Sequence, residues 1–390
     1  MTTAALPVTE AFFTDPYPLY RKLRDEAPVC RVELPDGAPA WLVTRYAEVR
    51  ALLADPRLSV DKSNGNGSWR GFSLPPALDA NLLNMDPPNH TRIRKLVSQA
   101  FTPRRVADLR PRIQSTADAL LDALAGHSEA DLVRDYAGPL PVAVISDLLG
   151  VPEADRHEFR SWTDTMFSPP PDDRAAAGRA VRTIHAYLEG LLAAKRAQPA
   201  DDLLSALIAA RDDDDRLTED ELTSLAFLLL FAGYENTVHA IGTALLTLLR
   251  RPGLATGPEH LGATIEELLR YEPPAPVLLR RFPTEDVEIA GVTVPRGETV
   301  LMVVGAANRD PDAFAEPDEV RPGRSGSHLT FGHGIHYCLA APLARLELEV
   351  AIGTAVRRFP RLRLAVPADE LGWRPSYRTR GLVALPVLLD

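Results

Sequence analysis

Cysteine is scarce in this sequence: its 390 residues contain only Cys30 and Cys338. Two cysteines cannot build the disulfide framework of a small secreted scaffold, so a reducing cytoplasm is the expected compartment. Long apolar runs are also missing. The longest, residues 225–232, falls far short of the roughly 20 residues that span a bilayer. The first 16 residues lack a basic stretch followed by an apolar one, so we expect no signal peptide and no membrane anchor.

Positive charge is not in excess either, because the net charge is −10 and the isoelectric point is about 5.5. This balance argues against nucleic acid as the main partner. Hydrophobic residues make up 45% and charged residues 25% of the chain, which is typical of a globular protein large enough to enclose a sizeable ligand. Without an internal repeat or a long linker, residues 1–390 are expected to form a single domain.

Helical periodicity dominates the middle of the chain, and strand-like segments occur mainly near residues 40–44 and 285–304. A Gly-, Asn- and Ser-rich loop is predicted at 63–76, an acidic turn at 212–215 and an irregular stretch at 309–328. The fold class is therefore mainly α with small β-sheets. The predicted helices cover residues 46–54, 89–100, 103–125, 139–149, 153–167, 172–197, 201–211, 218–250 and 338–359.

The segment Phe331–Ala340 contains the second cysteine after two glycines. Gly332 and Gly334 permit backbone angles that other residues avoid, so a tight loop can pass close to a flat ligand. Cys338 stands at the start of the predicted last helix, where free backbone amides and the helix dipole favour a thiolate. Such a thiolate suits a haem iron, whereas a lone cysteine is more commonly a small buried apolar residue.

The same segment resembles the haem-binding signature of the cytochrome P450 family. Phe331, Gly334, His336 and Cys338 match it, and Ala340 stands where the family usually has glycine. The resemblance implies that Cys338 is the axial metal ligand of haem b, with Phe331 beside the thiolate and His336 at a haem propionate. Because alanine adds only one methyl group, we expect tighter packing at residue 340 and retention of haem.

A second match is Glu267-Leu268-Leu269-Arg270, which resembles the family's Glu-x-x-Arg motif and precedes the cysteine loop by about the family distance. Its i,i+3 spacing places both charged side chains on one helix face. Pairs of this kind are common and weak on helix surfaces. The resemblance implies a buried salt-bridge set with Arg324 as third member, which folds the cysteine loop and performs no chemistry.

A third match begins at two prolines and continues with His90 and Arg94, four residues apart on one side of a predicted helix. Two donors on one face suit a carboxylate, which arginine can bind with two hydrogen bonds. A solvated basic face is the alternative. In the family these positions hold a haem propionate, and Arg281 aligns with a further propionate-binding arginine, although Arg280 beside it leaves the register open.

The fourth match, Ala232-Gly233-Tyr234-Glu235-Asn236-Thr237, resembles the family's oxygen-activation motif within the long helix. Gly233 is expected to make room for haem and dioxygen, with a helix-packing contact as the alternative. The resemblance implies that Glu235 relays protons. Asn236 replaces the usual threonine, and Thr237 lies about 100° further around the helix. We expect Asn236, an ordered water or a substrate hydroxyl to perform the threonine's task.

The resemblance extends over nearly the whole chain and implies the triangular, mostly helical P450 fold. It implies a monooxygenase that inserts one atom of O₂ into a C–H bond (hydroxylation) or a C=C bond (epoxidation). No flavin or iron–sulfur region is evident, so a ferredoxin and its NAD(P)H-dependent reductase are the expected partners of a monomer. A basic surface that can dock an acidic ferredoxin, or is simply solvated, comprises Arg104, Arg105, Arg110, Arg112 and Arg345.

Two alternatives stay open: a peroxygenase that uses H₂O₂, which Asn236 makes conceivable, and a haem protein that binds a ligand without turnover. The expected substrate is a bulky natural product, with a polyketide such as a macrolide ahead of a terpenoid or a steroid. The expected pocket walls are the loop 60–84, the turn around 378–379, and the side chains of Ala232, Val238, Val277, Leu278, Leu279 and Thr379.

Overall fold

A computed structural model of the chain describes residues 4–5, 9–70, 74–99, 101–170, 172–173, 175–212, 217–254 and 257–389. Parts of the predicted loop 63–76 and of the acidic turn 212–215 lie outside these ranges. Within them the chain is mainly helical with small sheets, as predicted. The α-helices are α1 Glu10–Thr14, α2 Tyr17–Glu26, α3 Tyr46–Ala54, α4 Pro76–Asp79, α5 Asn89–Ser98, α6 Pro103–Asp108, α7 Arg110–Asp122, α8 Pro139–Leu149, α9 Arg156–Phe167, α10 Ala176–Ala197, α11 Leu203–Asp212, α12 Glu219–Arg250, α13 Pro258–Tyr271, α14 Val304–Ala307 and α15 Ala341–Arg358.

The strands are short and form small sheets at the periphery of the helices. Their bounds are β1 Ala4–Ala5, β2 Val29–Glu33, β3 Pro39–Val43, β4 Leu58–Ser59, β5 Glu129–Asp131, β6 Phe282–Pro283, β7 Val287–Ile289, β8 Val292–Val294, β9 Val300–Met302, β10 Arg363–Leu364 and β11 Pro386–Leu388. A four-stranded sheet has the order β1-β2-β3-β9, in which β2 and β3 are antiparallel and the other neighbours parallel. A three-stranded sheet has the order β10-β11-β5, and β4–β6 and β7–β8 form antiparallel pairs.

The long helix α12 begins where the sequence predicts. The Thr218 side chain accepts from the Glu221 amide, and the Glu221 carboxylate accepts from the Thr218 amide, so the predicted capping box is present. By length and composition alone this helix could cross a membrane, but 61% of its apolar window is buried inside the protein. Its apolar character is therefore that of a core helix, packed against α8, α10 and α15.

Several predicted helix boundaries are wrong, and backbone chemistry explains one of them. The helix predicted at 103–125 is interrupted at Leu109 and restarts with Pro111 in the first turn of α7, because proline lacks an N–H and suits a helix start. The segment 153–167 begins with a 3₁₀ turn before α9. The helix predicted from 172 starts at Ala176. By contrast, the prediction of strands with glycine turns at 285–304 is confirmed: three short strands are separated by turns in which Gly291 and Gly297 have positive φ.

Most buried apolar side chains form one cluster around α12, which extends from α5 to the C-terminal strand β11. Two smaller clusters support the sheets on either side of β3 and β9. Cys30 packs beside one of these and, like Cys338, is a free thiol. The cysteine loop, the first turn of α5 and the centre of α12 are all anchored to this core, so their polar side chains have fixed positions.

Candidate active site

Cys338 ends a tight loop that packs against the end of α3. Its amide donates to the Phe331 carbonyl at 2.8 Å. Gly332 and Gly334 have φ values of 76° and 71°, in the region that favours glycine. A Cβ on Gly334 would lie 2.9 Å from the Leu53 carbonyl oxygen. Glycine at this position therefore lets the loop approach α3 closely and fixes where the cysteine lies.

Cys338 precedes the last helix by three residues, so the prediction that it starts that helix is wrong. Helix α15 begins at Ala341, with proline in its first turn, and Ala340 is the N-cap at φ −88° and ψ 13°. A backbone conformation with negative φ is allowed for alanine, which explains how alanine can replace glycine at residue 340. The cysteine therefore faces the free amides at the helix start without belonging to the helix.

Burial raises the pKa of the Cys338 thiol. The amides of Ala340 and Ala341 donate towards the sulfur, and with the charges of Arg94 and Arg345 they act in the opposite direction. A metal ion bound to the sulfur would remove the thiol proton outright. The same amides and arginines would then stabilise the resulting thiolate, which makes this site suitable for a thiolate ligand.

A cationic cluster, formed by His90, Arg94, Arg281 and His336, lies beside the cysteine loop; His90 and Arg281 are buried, and Arg94 and His336 are half-buried. The ring centroids of His90 and His336 are 4.3 Å apart. Burial, followed by the charges of Arg281, His90 and Arg94, lowers the pKa of His336 to about 3. Burial likewise lowers the pKa of Arg281 to about 10. Burial also lowers the pKa of His90, so both imidazoles are neutral at neutral pH and the positive charge of the cluster resides on Arg94 and Arg281.

This cationic cluster is short of acceptors. His90 Nε2 and Arg281 Nε are buried and have no hydrogen-bond partner among the described residues. The Asp86 carboxylate lies 4.0 Å from His336 Nε2, but it already accepts from the Ser59 hydroxyl and the Val60 amide. Buried polar groups without partners are costly and rare in proteins. Two carboxylates of a bound ligand would satisfy them, so these residues fit the propionates of haem.

Arg94 connects this cluster to the cysteine loop. Its Nη2 donates to the Tyr337 carbonyl, one residue before the cysteine, at 2.7 Å. This bond fixes α5, which carries His90 and Arg94, relative to the loop that carries Cys338. A planar ligand could then bind between the helix and the loop.

Glu267 and Arg270 form a buried ion pair under the cysteine loop, at 2.8 Å and with 3% and 2% of their side chains exposed. Arg324 Nε donates to the same carboxylate at 2.8 Å, and the Arg321 amide does so at 2.7 Å. Arg270 further donates to the carbonyls of Asn308, Pro317 and Glu319. The three residues predicted as a set are therefore in contact, and they hold the irregular segment that leads to the loop.

Glu266 and Arg345 form a second ion pair that the sequence analysis missed. Arg345 Nε donates to Glu266 Oε1 at 2.6 Å, and its guanidinium lies 4.5 Å from the centroid of the Phe331 ring. His328 Nε2 is 3.3 Å from the same carboxylate. The sequence showed Arg345 only as one basic residue among several. Its pairing with Glu266 could not be predicted, because the two residues are 79 positions apart in the chain.

The centre of α12 carries the residues that resemble the oxygen-activation motif. A Cβ on Gly233 would lie 3.2 Å from Ile145 Cδ1, so this glycine makes a close helix-packing contact with α8, which was the alternative expectation. The Thr237 hydroxyl donates back to the Gly233 carbonyl at 2.7 Å and is buried. Glu235 and Asn236 are only partly buried and keep their polar groups available.

His239 is a neighbour of Glu235 that the sequence analysis did not single out. It follows Glu235 by one helical turn, with Nε2 3.5 Å from Glu235 Oε1. Its ring is 2% exposed and packs against Gly381, where a Cβ would lie 2.1 Å from His239 Nδ1. Because Gly381 has no side chain, the imidazole of His239 can pack there and lie beside Glu235.

The predicted pocket residues differ in exposure. Ala232 is exposed and Leu279 is 40% exposed, whereas Val238 and Val277 are buried within core clusters. Leu278 is partly buried against the small core cluster that contains Val43 and Val300, and it donates its amide to the Met302 carbonyl. Thr379 is half-buried in a turn in which its amide and hydroxyl bond to Ser376 Oγ.

Comparison with known proteins places this site in a family. The family model described as cytochrome P450 matches residues 145–256 and 259–368. The chain is 45% identical to the cytochrome P450 monooxygenase PikC of Streptomyces venezuelae over 406 residues, covering 99% of this chain and 95% of that one. It is 42% identical to the mycinamicin IV hydroxylase/epoxidase of Micromonospora griseorubida, covering 95% and 94%. The solved structure of the polyketide synthase P450 PksS of Bacillus subtilis matches with a TM-score of 0.91 and 38% identity, covering 99% of both chains. The chain belongs to the cytochrome P450 family and is a monooxygenase of that family, which implies a haem-thiolate cofactor.

Proposed function

We propose that this chain is a cytoplasmic, monomeric P450 that holds haem b and inserts one oxygen atom of O₂ into a C–H or C=C bond of a bulky polyketide or macrolide. The observation that carries the haem assignment is the cationic cluster beside Cys338, because two of its donor atoms are buried and have no partner in the described chain. Relatives whose names state hydroxylation of macrolide-type compounds support the substrate class.

In this proposal the haem supplies the redox chemistry that activates dioxygen, and the protein supplies binding, orientation and protons. Cys338 would ligate the iron through its sulfur, supported by the amides of Ala340 and Ala341. His90, Arg94, Arg281 and His336 would donate charge-assisted hydrogen bonds to the propionates.

Proton supply falls to the chain's own groups on α12. The Glu235 carboxylate is partly exposed and 3.5 Å from His239 Nε2, so it can take up a proton and pass it towards the pocket. The Thr237 hydroxyl already donates to the Gly233 carbonyl, so it can only accept a further hydrogen bond, for example from a water. The amide of Asn236 both donates and accepts hydrogen bonds, so it can position a water next to Glu235.

Substitution of Asn236 tests this assignment. Asn236→Ala should lower product formed per electron consumed by about tenfold, the size expected for the loss of one hydrogen bond, while substrate binding stays unchanged. Asn236→Thr should retain coupling, since its hydroxyl can hold the same water. If Asn236→Ala leaves turnover and coupling unchanged, Asn236 has no part in proton delivery and a substrate hydroxyl or water performs it.

The substrate class is tested by spectral titration of the purified protein with macrolide, linear polyketide, terpenoid and steroid panels. A shift of the haem absorption on binding, followed by a product with one atom from isotope-labelled O₂, would support the proposal for the class that gives both. Binding and turnover of steroids alone would overturn the polyketide assignment. Absence of product with every reductant and every panel would favour the alternative of a haem protein that binds a ligand without turnover.

A ferredoxin with its NAD(P)H-dependent reductase is the proposed electron source. Arg104, Arg105 and Arg112 are exposed, whereas Arg110 pairs with Glu349 at 2.5 Å and Arg345 with Glu266. The free positive charge of the predicted dock therefore comes from the three exposed residues. Their reversal to glutamate should slow reduction and remove its salt dependence. Insensitivity to both salt and charge reversal would refute docking at this surface.

A peroxygenase is the second candidate because Asn236 stands in place of the usual threonine. It predicts faster product formation with H₂O₂ alone than with a ferredoxin system. Product formation that requires NAD(P)H, reductase and O₂, and is negligible with peroxide, would exclude it.

A further inference from the structure

Arg280 and Arg281 are adjacent but face different surroundings. The Arg281 amide and carbonyl both pair with Val300, at 2.8 and 2.9 Å, so the backbone is extended here and consecutive side chains point to opposite sides. Arg281 belongs to the cationic cluster and helps to lower the pKa of His336. Arg280 points away from that cluster, so its role is not explained by the propionates.

Arg280 is buried with an unsatisfied donor. Only 3% of it is exposed, and its Nη2 donates to Asn84 Oδ1 at 2.6 Å. Its Nε is buried and has no hydrogen-bond partner in the described part of the chain. A buried guanidinium ordinarily has its donors satisfied by a carboxylate or carbonyls, so this nitrogen points to a group that the protein alone does not supply.

Two further groups surround Arg280. The centroid of the Trp69 ring lies 6.0 Å from its guanidinium and 4.7 Å from the guanidinium of Arg378. Trp69 Nε1 and the neighbouring Ser68 Oγ are also buried without partners among the described residues. Arg280, the Trp69 ring beside it and Ser68, which precedes Trp69 in the chain, therefore each have a buried polar atom without a partner among the described residues.

The local charge balance is positive. Asp79 already accepts from Lys62 at 2.6 Å and from Asn84 at 2.9 Å. Asp61 accepts from the Ser63 amide and caps a 3₁₀ turn. The three positive charges of Lys62, Arg280 and Arg378 thus exceed the two negative charges of Asp61 and Asp79. Both carboxylates already accept hydrogen bonds from other groups. Burial and then Arg378 disfavour the charged form of Arg280, while Asp79 and Asp61 favour it, and its pKa is lowered as a result.

This location is also where two expected pocket walls meet. Ser68 and Trp69 belong to the loop after β4, and Arg378 belongs to the turn that contains Thr379. We propose that Arg280 and Arg378, together with the indole N–H of Trp69, bind a carboxylate of the substrate. The proposal rests on the monooxygenase function above and narrows its substrate to acids, for example the open-chain acid of a polyketide.

Spectral titration of the haem-loaded enzyme with dodecanoic acid, its methyl ester and its alcohol tests this site. These probes share one chain and differ in the end group. At neutral pH the acid should bind about tenfold or more tightly than the ester or the alcohol, as expected for charge-assisted bonds to arginine. Arg280→Gln and Arg378→Gln should each remove that preference, whereas Arg378→Lys should retain part of it.

Arg296→Gln is the matched control, because this arginine is exposed on the turn between β8 and β9. It should keep the full preference for the acid. Equal affinity of the wild type for all three probes would overturn the proposal, as would a preference that survives in both Arg280→Gln and Arg378→Gln. If Arg280→Gln fails to fold, the half-buried Arg378 still decides the outcome.

The outcome is separable from that of the proposed function. A haem shift with the ester and alcohol as well as the acid, without preference, removes the carboxylate site and leaves the monooxygenase intact. Loss of haem in Arg280→Gln with the acid preference intact in Arg378→Gln would assign Arg280 to the propionates and refute this site. Failure of the wild type to show a thiolate-type spectrum would instead refute the proposed function.

Discussion

Replacement of Glu267 by alanine should destabilise the protein by about 3 kcal/mol, because it leaves a buried charge without its partner. Glu267 accepts two bonds from Arg270, one from Arg324 and one from the Arg321 amide, all at 2.7–2.8 Å. Arg270 is only 2% exposed, so water cannot replace the lost carboxylate.

The expected loss lies at the lower end of the range for broken buried pairs, about 3–5 kcal/mol. Arg270 keeps three carbonyl acceptors, on Asn308, Pro317 and Glu319, which continue to solvate part of its charge. Against a total stability of roughly 5–15 kcal/mol, this loss is large. Because those carbonyls belong to the segment before the cysteine loop, haem retention should fall as well.

Glu266→Ala is the matched control, since Glu266 is the preceding residue on the same helix and also pairs with an arginine. Its side chain is 42% exposed and that of its partner Arg345 is 32% exposed. Water can therefore replace the contact, and we expect a loss of at most about 1 kcal/mol. The two glutamates thus differ mainly in burial.

Guanidinium unfolding followed by far-ultraviolet circular dichroism, at one fixed concentration of free haem, measures both changes. Fixed haem is required because a ligand that binds only the folded state raises its apparent stability. A loss below about 1 kcal/mol for Glu267→Ala, or equal losses for the two variants, would refute the reasoning that burial makes this ion pair indispensable.

The remaining predictions concern the thiol, the loop and a buried acid. Cys338→Ser should abolish the thiolate-type spectrum of the reduced CO complex, and persistence of that spectrum would exclude Cys338 as ligand. Gly334→Ala should lower haem incorporation far more than Gly332→Ala, since both glycines have positive φ but an added Cβ would lie 2.9 Å from a carbonyl oxygen at Gly334 and 3.7 Å from one at Gly332; equal haem content would contradict this. Burial raises the pKa of Glu347 from 4.5 to about 8, so the folded state holds a proton that the unfolded chain releases, and stability should fall as pH rises across that window. Glu347→Gln should flatten this dependence, and an unchanged slope in unfolding measurements would show that Glu347 is not its source.

Much of the fold was predictable because its signals are local. Periodicity located α3 and α8 at their observed bounds, and the box of Thr218 and Glu221 located the start of α12. The interruption at Leu109 and the late start of α15 were not predicted. In both places proline determines where a helix begins, and a pattern of apolar residues alone does not mark the boundary.

The sequence predicted individual residues of the site but not the contacts between them. Motif spacing identified His90, Arg94 and His336 individually, but the lowered pKa of His336 and the missing acceptor at His90 Nε2 depend on how α5 packs against the cysteine loop. Gly233 was expected to make room at the distal side, whereas its contact with Ile145 requires the neighbouring helix. Pairs such as Glu266–Arg345 stayed hidden, because nothing local distinguishes them from ordinary surface charges.

The sequence by itself determined the chemical identity of this protein: a cysteine after two glycines, an acid on the long helix and the family to which both belong. These features are local, so spacing along the chain suffices to recognise them. Only the tertiary structure decided which polar atoms are left without partners, at His90, Arg281, Arg280 and Trp69. Whether a donor is satisfied depends on all segments around it, and those segments meet only in the folded chain.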